Sequence, residues 1–395
     1  MNFLIRNVKL IDGTGAASVP RVNVAVQEGI ISWIDQGPIQ HFEYPHYEDI
    51  NGEDLTLVPG LFDCHEHFAG DGGQFGVPIM ARESDDIALI FNRAVSNARR
   101  ALIAGQTSAR DVGSPYGISI TIAKSIASGA IQGPRITASG EWLQMPTTWG
   151  YSFVKTVNSK AEMEAAVKDQ IATGAGLIKV GATGTNTDGI SYSTLGPEIC
   201  SLVLELAHNA GLKAAAHCTD GIEGTWDAVN AGFDSIEHAV YIDDLTAKLM
   251  KEKGTYVVPT LSTWDYRIRA AKRWKYSKKE RDASEARKRT SIDSMKRCIK
   301  AGVKIAAGTD AGGSPVRHGS IVHELELLVD VGLTPMQALQ ASTKIAAELV
   351  GTQDLVGTIQ VGKQADLLLL DGDPLEDIGA LRNIWAMFLG GRRIR

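Results

Sequence analysis

Aromatic side chains make up only 6% of these 395 residues, and cysteine is scarcer still, with four, at positions 64, 200, 218 and 298. No two cysteines share a Cys-x-x-Cys spacing, which argues against a disulfide framework and against a zinc knuckle. No apolar run is long enough to cross a bilayer. The opening "MNFLIRNVKLIDGTG" alternates like a strand and lacks the continuous apolar core of a signal peptide. Charge of one sign is lacking too. A formal net charge of -6 gives no electrostatic reason to expect nucleic acid or an anionic membrane as partner. No internal repeat and no low-complexity segment is present. The expectation left by these absences is a reduced, soluble, cytoplasmic protein that acts on a small molecule.

What is present is glycine, 41 residues of it, which suits a fold with many tight strand-to-helix turns. Residues 2 to 57 read as short strands, "FLIRNVKLI" and "VNVAVQEGIISWID", with "DGTG" between them. The buried run "LTLVPGLFDCHEHF" follows. Helical stretches then alternate with "QTSARDVG", "PRITASGEW", "GLIKVGATG", "GLKAAAHCTD", "DSIEHAVY", "TYVVPTLST" and "VKIAAGTDAG". Eight candidate strands, each followed by a helix, give the order of an α/β fold of the (β/α)8 TIM-barrel type. The expected division is a metal-dependent barrel over 57–350, with 1–56 and 351–395 forming a small β-sandwich from both chain ends. The charge run "YRIRAAKRWKYSKKERDASEARKR", from Tyr266 to Arg289, reads as a solvated exterior helix.

Polar residues interrupt the apolar strands at their C-terminal ends, where barrel enzymes carry their chemistry. The first ends with His65 and His67, two positions apart and therefore on one face. By itself that pair fits a metal grip or a hydrogen-bonded pair at a strand end. The fifth strand ends with His217, the sixth with His238 and the eighth with Asp310. Each alone fits a satisfied core histidine or a helix cap. Together they point to a metal centre. Lys179 lies in "GLIKVGATG" between Ile178 and Val180, where burial disfavours its charge. A neutral amine there can react with CO2 to form a carbamate able to bridge two metals. The other reading is a lysine snorkelling to the strand end or paired with Asp310.

The set resembles the amidohydrolase superfamily, in its binuclear subtype with a carboxylated lysine. The resemblance runs through "NVKLIDGTG", "LVPGLFDCHEHF", "LIKV", "AAAHC", "SIEHA", "GTDAG" and "GTIQVGKQADLLLLDGDP". It implies that His65, His67 and Asp310 hold one divalent ion, that His217 and His238 hold the second, and that N6-carboxylated Lys179 bridges them. Zinc suits these ligands, and manganese or cobalt would fit too. The implied reaction is hydrolysis of an amide by a metal-bridging hydroxide, with Asp310 as general base and then acid. "DSIEHAVYIDD" and "GTDAGGSPVRHGSIVHELELLVDVGLTPMQAL" most resemble the branch of prolidase-like and Xaa-Arg-type carboxypeptidases, which includes an ochratoxin-type amidase. A homo-oligomer is also expected, because barrel enzymes of this kind often associate.

His318 matches the histidine of that branch's "HG" turn, as a substrate contact or as a loop-ordering group. The Gly-Gly-His run common after the third strand is replaced by "EWLQMPTTWGYSF". Its Trp142, Trp149 and Tyr151 would line a pocket for an apolar or aryl acyl group, or pack the loop or a subunit contact. Tyr241, Arg267 and Arg317 follow strand ends and would anchor a substrate carboxylate, or form surface ion pairs. A hydrolase of lactones, carbamates or aryl amides stays open. Lys179 counts against a mononuclear deaminase, and retention of all six ligand candidates counts against a non-catalytic relative.

Overall fold

The computed structural model describes residues 2–37, 47–73, 86–148, 154–188 and 190–395. Its first strands are β1 (Phe3–Leu10), β2 (Val19–Gln27) and β3 (Ile30–Asp35). β1 and β2 pair antiparallel, as do β2 and β3. Between β2 and β3, Glu28 and Gly29 both take positive φ, 51° and 84°. A left-handed pair of this kind matches the twist of the strands it joins. β4 (Glu48–Asn51) and β5 (Leu55–Pro59) run parallel to β1.

The apolar run of residues 55–66 breaks at Gly60, where a Cβ would stand 2.3 Å from the Thr107 side chain. The chain there leaves the first sheet and enters β6 (Leu61–Glu66), whose residues are all buried. β6, β7 (Gln106–Asp111) and β8 (Arg135–Ala138) pair in parallel. A second sheet holds β9 (Trp142–Gln144), β10 (Val154–Thr156), β11 (Leu177–Gly181), β14 (Lys213–His217), β15 (Ser235–Glu237) and β16 (Tyr256–Val258), again parallel. A short hairpin, β12 (Thr183–Thr185) with β13 (Ser191–Ser193), follows β11. The helices between strands are α1 (Ile87–Ile103), α2 (Ile118–Ala127), α3 (Lys160–Thr173), α4 (Gly196–Asn209), α5 (Glu223–Ala231), α6 (Asp244–Lys253), α7 (Leu261–Ala270) and α8 (Lys278–Ala301). α9 (Ile321–Asp330), α10 (Pro335–Ala341) and α11 (Lys344–Val350) come after residue 312.

The two faces of the parallel strands bury different things. Ile178 and Val180 of β11, with Ala214 and Ala216 of β14, join the large core that includes Val203, Val229, Met250 and Leu325 from the helices. Leu177 and Ala215 lie in a separate small cluster with Val112. Lys179 is two residues beyond Leu177 and His217 two beyond Ala215, so both share that other face. Each fully buried Val, Ile or Leu contributes about 1.5–3 kcal/mol.

Two expectations need correcting. The stretch "VKIAAGTDAG" makes isolated bridges, at Ile305 to Val257 and at Ala311 to Glu66, rather than a regular strand. It nonetheless lies between β16 and β6. Ala306 N–H donates to Val257 O at 3.0 Å, Cys64 N–H to Ala307 O at 2.8 Å and Asp310 N–H to His65 O at 2.7 Å. Asp310 adopts φ 60°, which ends any extended ladder. The charge run is also not one solvated helix. α7 stops at Ala270, Lys275 is left-handed, and a capping box of Ser277 and Glu280 starts α8 afresh. Arg267 and Arg287 from this run face a cavity.

The chain then returns to the first sheet through β17 (Leu367–Asp371), β18 (Ile384–Leu389) and β19 (Arg392–Arg393). β17 pairs antiparallel with β5, and the order is β19-β18-β17-β5-β1-β2-β3, with β4 on β1. Both chain ends thus share one eight-stranded sheet over a core that includes Phe3, Val24, Leu57, Leu367 and Phe388. The rings of Phe3 and Phe388 stack across its two halves at 4.4 Å.

Candidate metal centre

His65 and His67 close β6 and meet Asp310. One ligand atom from each of the three lies within 4.8 Å of the other two. His67 Nε2 is 3.3 Å and His65 Nε2 3.6 Å from Asp310 Oδ1. The opposite ring nitrogens are tied down. His65 Nδ1 is 2.7 Å from Glu237 Oε2, and His67 Nδ1 is 2.7 Å from the Gly113 carbonyl. These acceptors hold the proton on Nδ1, so each Nε2 presents a lone pair toward Asp310.

His217 and His238 complete the group. The His238 ring centroid is 4.6 Å from that of His65 and 4.5 Å from that of His217. His238 Nδ1 is held by Thr260 Oγ1 at 2.7 Å, and His217 Nε2 by Thr219 Oγ1 at 3.0 Å. Burial pushes His65, His217 and His238 well below the ordinary histidine value, with mutual repulsion and Lys179 adding to it. Neutral rings are the form that binds metal. Asp310 goes the other way. Burial would raise its pKa, but the polar contacts with His67 and His238 and the charge of Arg267 hold it below the usual range.

Lys179 is wholly buried, and its Nζ has no hydrogen-bond partner among the described residues. It stands 5.5 Å from the Trp142 ring centroid, and Trp142 lies tilted against His217 with ring centroids 4.3 Å apart. Burial pushes its pKa from 10.5 down to about 8. A buried ammonium is costly, so burial brings the neutral amine within reach near neutral pH, although the ammonium still predominates at pH 7.

Three turns at the site use left-handed backbone at residues other than glycine: His238 at φ 66°, Thr260 at 49° and Asp310 at 60°. Such conformations persist where surrounding contacts over-determine them. Asp310 is fixed by Thr263 Oγ1, 3.2 Å from its Oδ2. Glu324 of α9 caps the start of α7, accepting from Leu261 and Ser262 N–H at 2.9 and 2.7 Å, just after Thr260.

Several supporting residues escaped the sequence reading. Arg110 in β7 donates to Glu237 Oε1 at 2.7 Å, to the Cys64 carbonyl at 2.6 Å and to Ser235 Oγ at 3.0 Å. Asp111 accepts from the N–H groups of Phe68 and Gly113 and from the Ser114 hydroxyl, which shapes the turn that offers the Gly113 carbonyl to His67. The signal was available. Arg110 and Glu237 are charged residues inside apolar strands, as Lys179 is.

Beside the histidines a cavity of about 330 Å³ is lined by Trp142, Thr185, Asp220, Trp264, Arg267 and Arg287, among others. Arg267 and Arg287 both lie over the Trp264 ring, at 5.7 and 5.5 Å from its centroid. Arg287 also donates to Asp220 at 3.1 Å. His318 does not line this cavity. It is buried and stacked on Phe68 at 5.2 Å, and burial pushes its pKa down to about 3. Tyr241 is half-buried and Arg317 exposed, and neither lines the cavity. Trp149 and Tyr151 lie outside the described residues.

A model of the amidohydrolase family matches residues 56–393. The chain belongs to the amidohydrolase family. The ochratoxinase of Aspergillus niger is 33% identical over 361 residues, covering 82% of this chain and 72% of that protein. Its crystal structure superposes with a TM-score of 0.85 at 27% identity, over 100% of this chain and 95% of that one. A crystal structure of a Xaa-Pro dipeptidase with methionine bound in the active site gives a TM-score of 0.88 at 29% identity, over the whole of both chains. The amidohydrolase is thus a TIM-barrel α/β protein and a hydrolase acting on amide bonds of small molecules. Amidohydrolases generally use metal ions, and this one has its His-His-Asp cluster. No helix among the described residues is long and apolar enough to cross a membrane.

Proposed function

We propose that this amidohydrolase is a binuclear metal-dependent hydrolase of N-acyl amino acids or dipeptides. The observation that carries the reading is Lys179, wholly buried beside the candidate ligand histidines with no hydrogen-bond partner for its amine among the described residues. An orphaned buried nitrogen has a use once it becomes a carbamate anion shared by two cations. The donor set fits two ions of the zinc type. His65, His67 and Asp310 would hold one, His217 and His238 the other, and N6-carboxylated Lys179 would join them. Bound there, such ions supply Lewis acidity and make water acidic near neutral pH.

The chain's own residues account for the rest. Glu237 and Gly113 orient two of the imidazoles through their Nδ1 protons. Asp310, kept as a carboxylate, accepts the proton of the attacking water and delivers it to the leaving nitrogen. The C–N bond breaks as the new C–O bond forms, giving a carboxylic acid and an amine. Arg267 faces the cavity with its Nε lacking a partner among the described residues, and it stands where a carboxylate on the substrate can be bound. Asp220 and Arg287 neutralise one another, so among the described residues of the outer cavity wall the remaining charge is that of Arg267. The dipeptidase activity named for one structural neighbour agrees with this charge.

The test is metal content per chain by elemental analysis, with hydrolysis of N-acyl amino acids and dipeptides, for wild type and Lys179→Ala grown with zinc and bicarbonate. Two metals in the wild type, and loss of metal and turnover in the variant, are expected. One metal that survives the substitution would overturn the binuclear reading.

A further inference from the structure

α7 and α8 are registered by two consecutive cross-helix contacts. Trp264 meets Arg287, and the next residue on each helix repeats the contact as Asp265 with Lys288, whose Nζ is 2.6 Å from Asp265 Oδ1. Asp265 is 6% exposed, yet it gathers three partners. His323 Nε2 of α9 and Arg269 Nε of α7 both reach Oδ2, at 2.9 and 2.7 Å. One carboxylate therefore ties together three helices. Two of them carry the cavity wall made by Trp264, Arg267 and Arg287.

From this geometry we infer that Asp265 is a positioning residue that sets the enzyme's preference for a substrate bearing a carboxylate. It does so by fixing the Arg267–Trp264–Arg287 stack. The inference rests on the reading of the site as one for N-acyl amino acids or dipeptides. The physical reason is that a stacked guanidinium has little freedom of its own. Its direction follows the ring beneath it, and the ring follows the backbone that Asp265 pins on both sides. Arg287 is further held by Asp220, and Asp220 takes the Thr219 hydroxyl at 3.0 Å. Arg267 has no such second hold through its Nε. A bidentate carboxylate contact is sensitive to such placement, because both N–H groups must align at once. Asp265 is remote from the reacting atoms, so its loss should act on binding of the carboxylate rather than on the chemical step.

The experiment compares the best substrate of a panel of N-acyl amino acids with its carboxamide analogue, on metal-loaded enzyme. Arg267→Met tests the carboxylate site itself, while Asp265→Asn and Lys288→Met test the pinning. Lys288→Met breaks only the α7–α8 tie and serves if Asp265→Asn does not fold. Expected is a rise in KM for the acid of about 10- to 100-fold in Arg267→Met, the loss of one charged contact. A rise of about 10-fold is expected in the pinning variants. For all three, KM for the carboxamide should stay within about 2-fold of wild type, leaving the acid-to-amide ratio as the readout. A ratio unchanged in both pinning variants but changed in Arg267→Met would overturn the role of Asp265 and leave the carboxylate site standing. A ratio unchanged in Arg267→Met, or no turnover of any panel member, would overturn the site reading and the inference with it.

Discussion

Asp63 holds Thr309 twice, taking its backbone N–H at 3.0 Å on Oδ1 and its hydroxyl at 2.6 Å on Oδ2. The same Oδ1 accepts the His65 N–H at 3.1 Å. One carboxylate thereby clamps the strand that carries His65 and His67 to the irregular segment that carries Asp310. The segment needs such a clamp because it makes only isolated bridges to its neighbours. Asp63→Ala would leave buried donors unsatisfied on both elements. We expect a stability loss of about 3 kcal/mol or more by denaturant unfolding, and weaker metal retention in dialysis against a chelator. A variant that keeps its metal while losing stability would show that the clamp serves folding alone.

Glu237 has two tasks, orienting His65 through Nδ1 and balancing Arg110. Glu237→Gln keeps the shape but weakens both. Weakening a hydrogen bond that orients a metal-binding histidine costs about 10- to 100-fold in metal affinity, which a competition titration with a coloured chelator would read. Arg110→Leu differs in kind. It strands a buried carboxylate, and we expect it to destabilise by about 3–5 kcal/mol. If Arg110→Leu proved neutral to stability, the ion pair would not be what holds Glu237.

Lys179 separates activity from stability. Met has nearly the same length without the amine, so Lys179→Met removes an orphaned buried nitrogen rather than a contact. Stability of the metal-free protein should hold or rise by about 1–2 kcal/mol, while turnover is lost. The amine also has a pH signature. With a pKa near 8, roughly a tenth of it is neutral at pH 7, and only the neutral amine reacts with CO2. Reconstitution of metal-free enzyme with metal and bicarbonate should therefore be more complete at pH 8.5 than at pH 6.5. Equal recovery at both values would argue against a carbamate.

The residues of the histidine, lysine and aspartate cluster were legible because they break a pattern. A histidine or lysine inside an apolar strand is conspicuous, and the period of two assigns it a face. The parallel strand order was legible for the same reason. Arg110 and Glu237 break the pattern just as visibly, but their roles depend on which strands become neighbours, and that is a property of the assembled sheet. Arg287 was hidden differently. In a run of mixed charges, nothing local distinguishes the arginines that turn toward the cavity from those that face water. The register of α7 against α8 decides it, and that register is set by Asp265 and Lys288, 23 residues apart in sequence. His318 shows the converse, a residue matched by motif whose side chain packs on Phe68 away from the cavity wall.

His323 offers a pH test of the same helix junction. Its Nε2 meets Asp265 at 2.9 Å and its Nδ1 meets Glu326 at 3.3 Å. The Asp265 hydrogen bond raises its pKa above 6.5, with Glu326 adding and burial and Arg269 opposing. Tyr266 packs edge-on against the ring, and Arg382 pairs with Glu326 behind it. Because the folded value is raised, the protonated ring stabilises the fold. That contribution is complete below the unfolded value of 6.5 and is lost as pH rises through the folded value. His323→Gln removes the titration but keeps a donor. The difference in melting temperature between wild type and His323→Gln should therefore favour wild type at pH 6 and shrink as pH climbs past neutrality. Asp265 is held below the usual carboxylate range by His323 and Lys288, outweighing its burial, so it stays charged throughout that window and adds no slope of its own. A difference that is flat, or that grows with pH, would mean that the neutral imidazole serves the junction equally well.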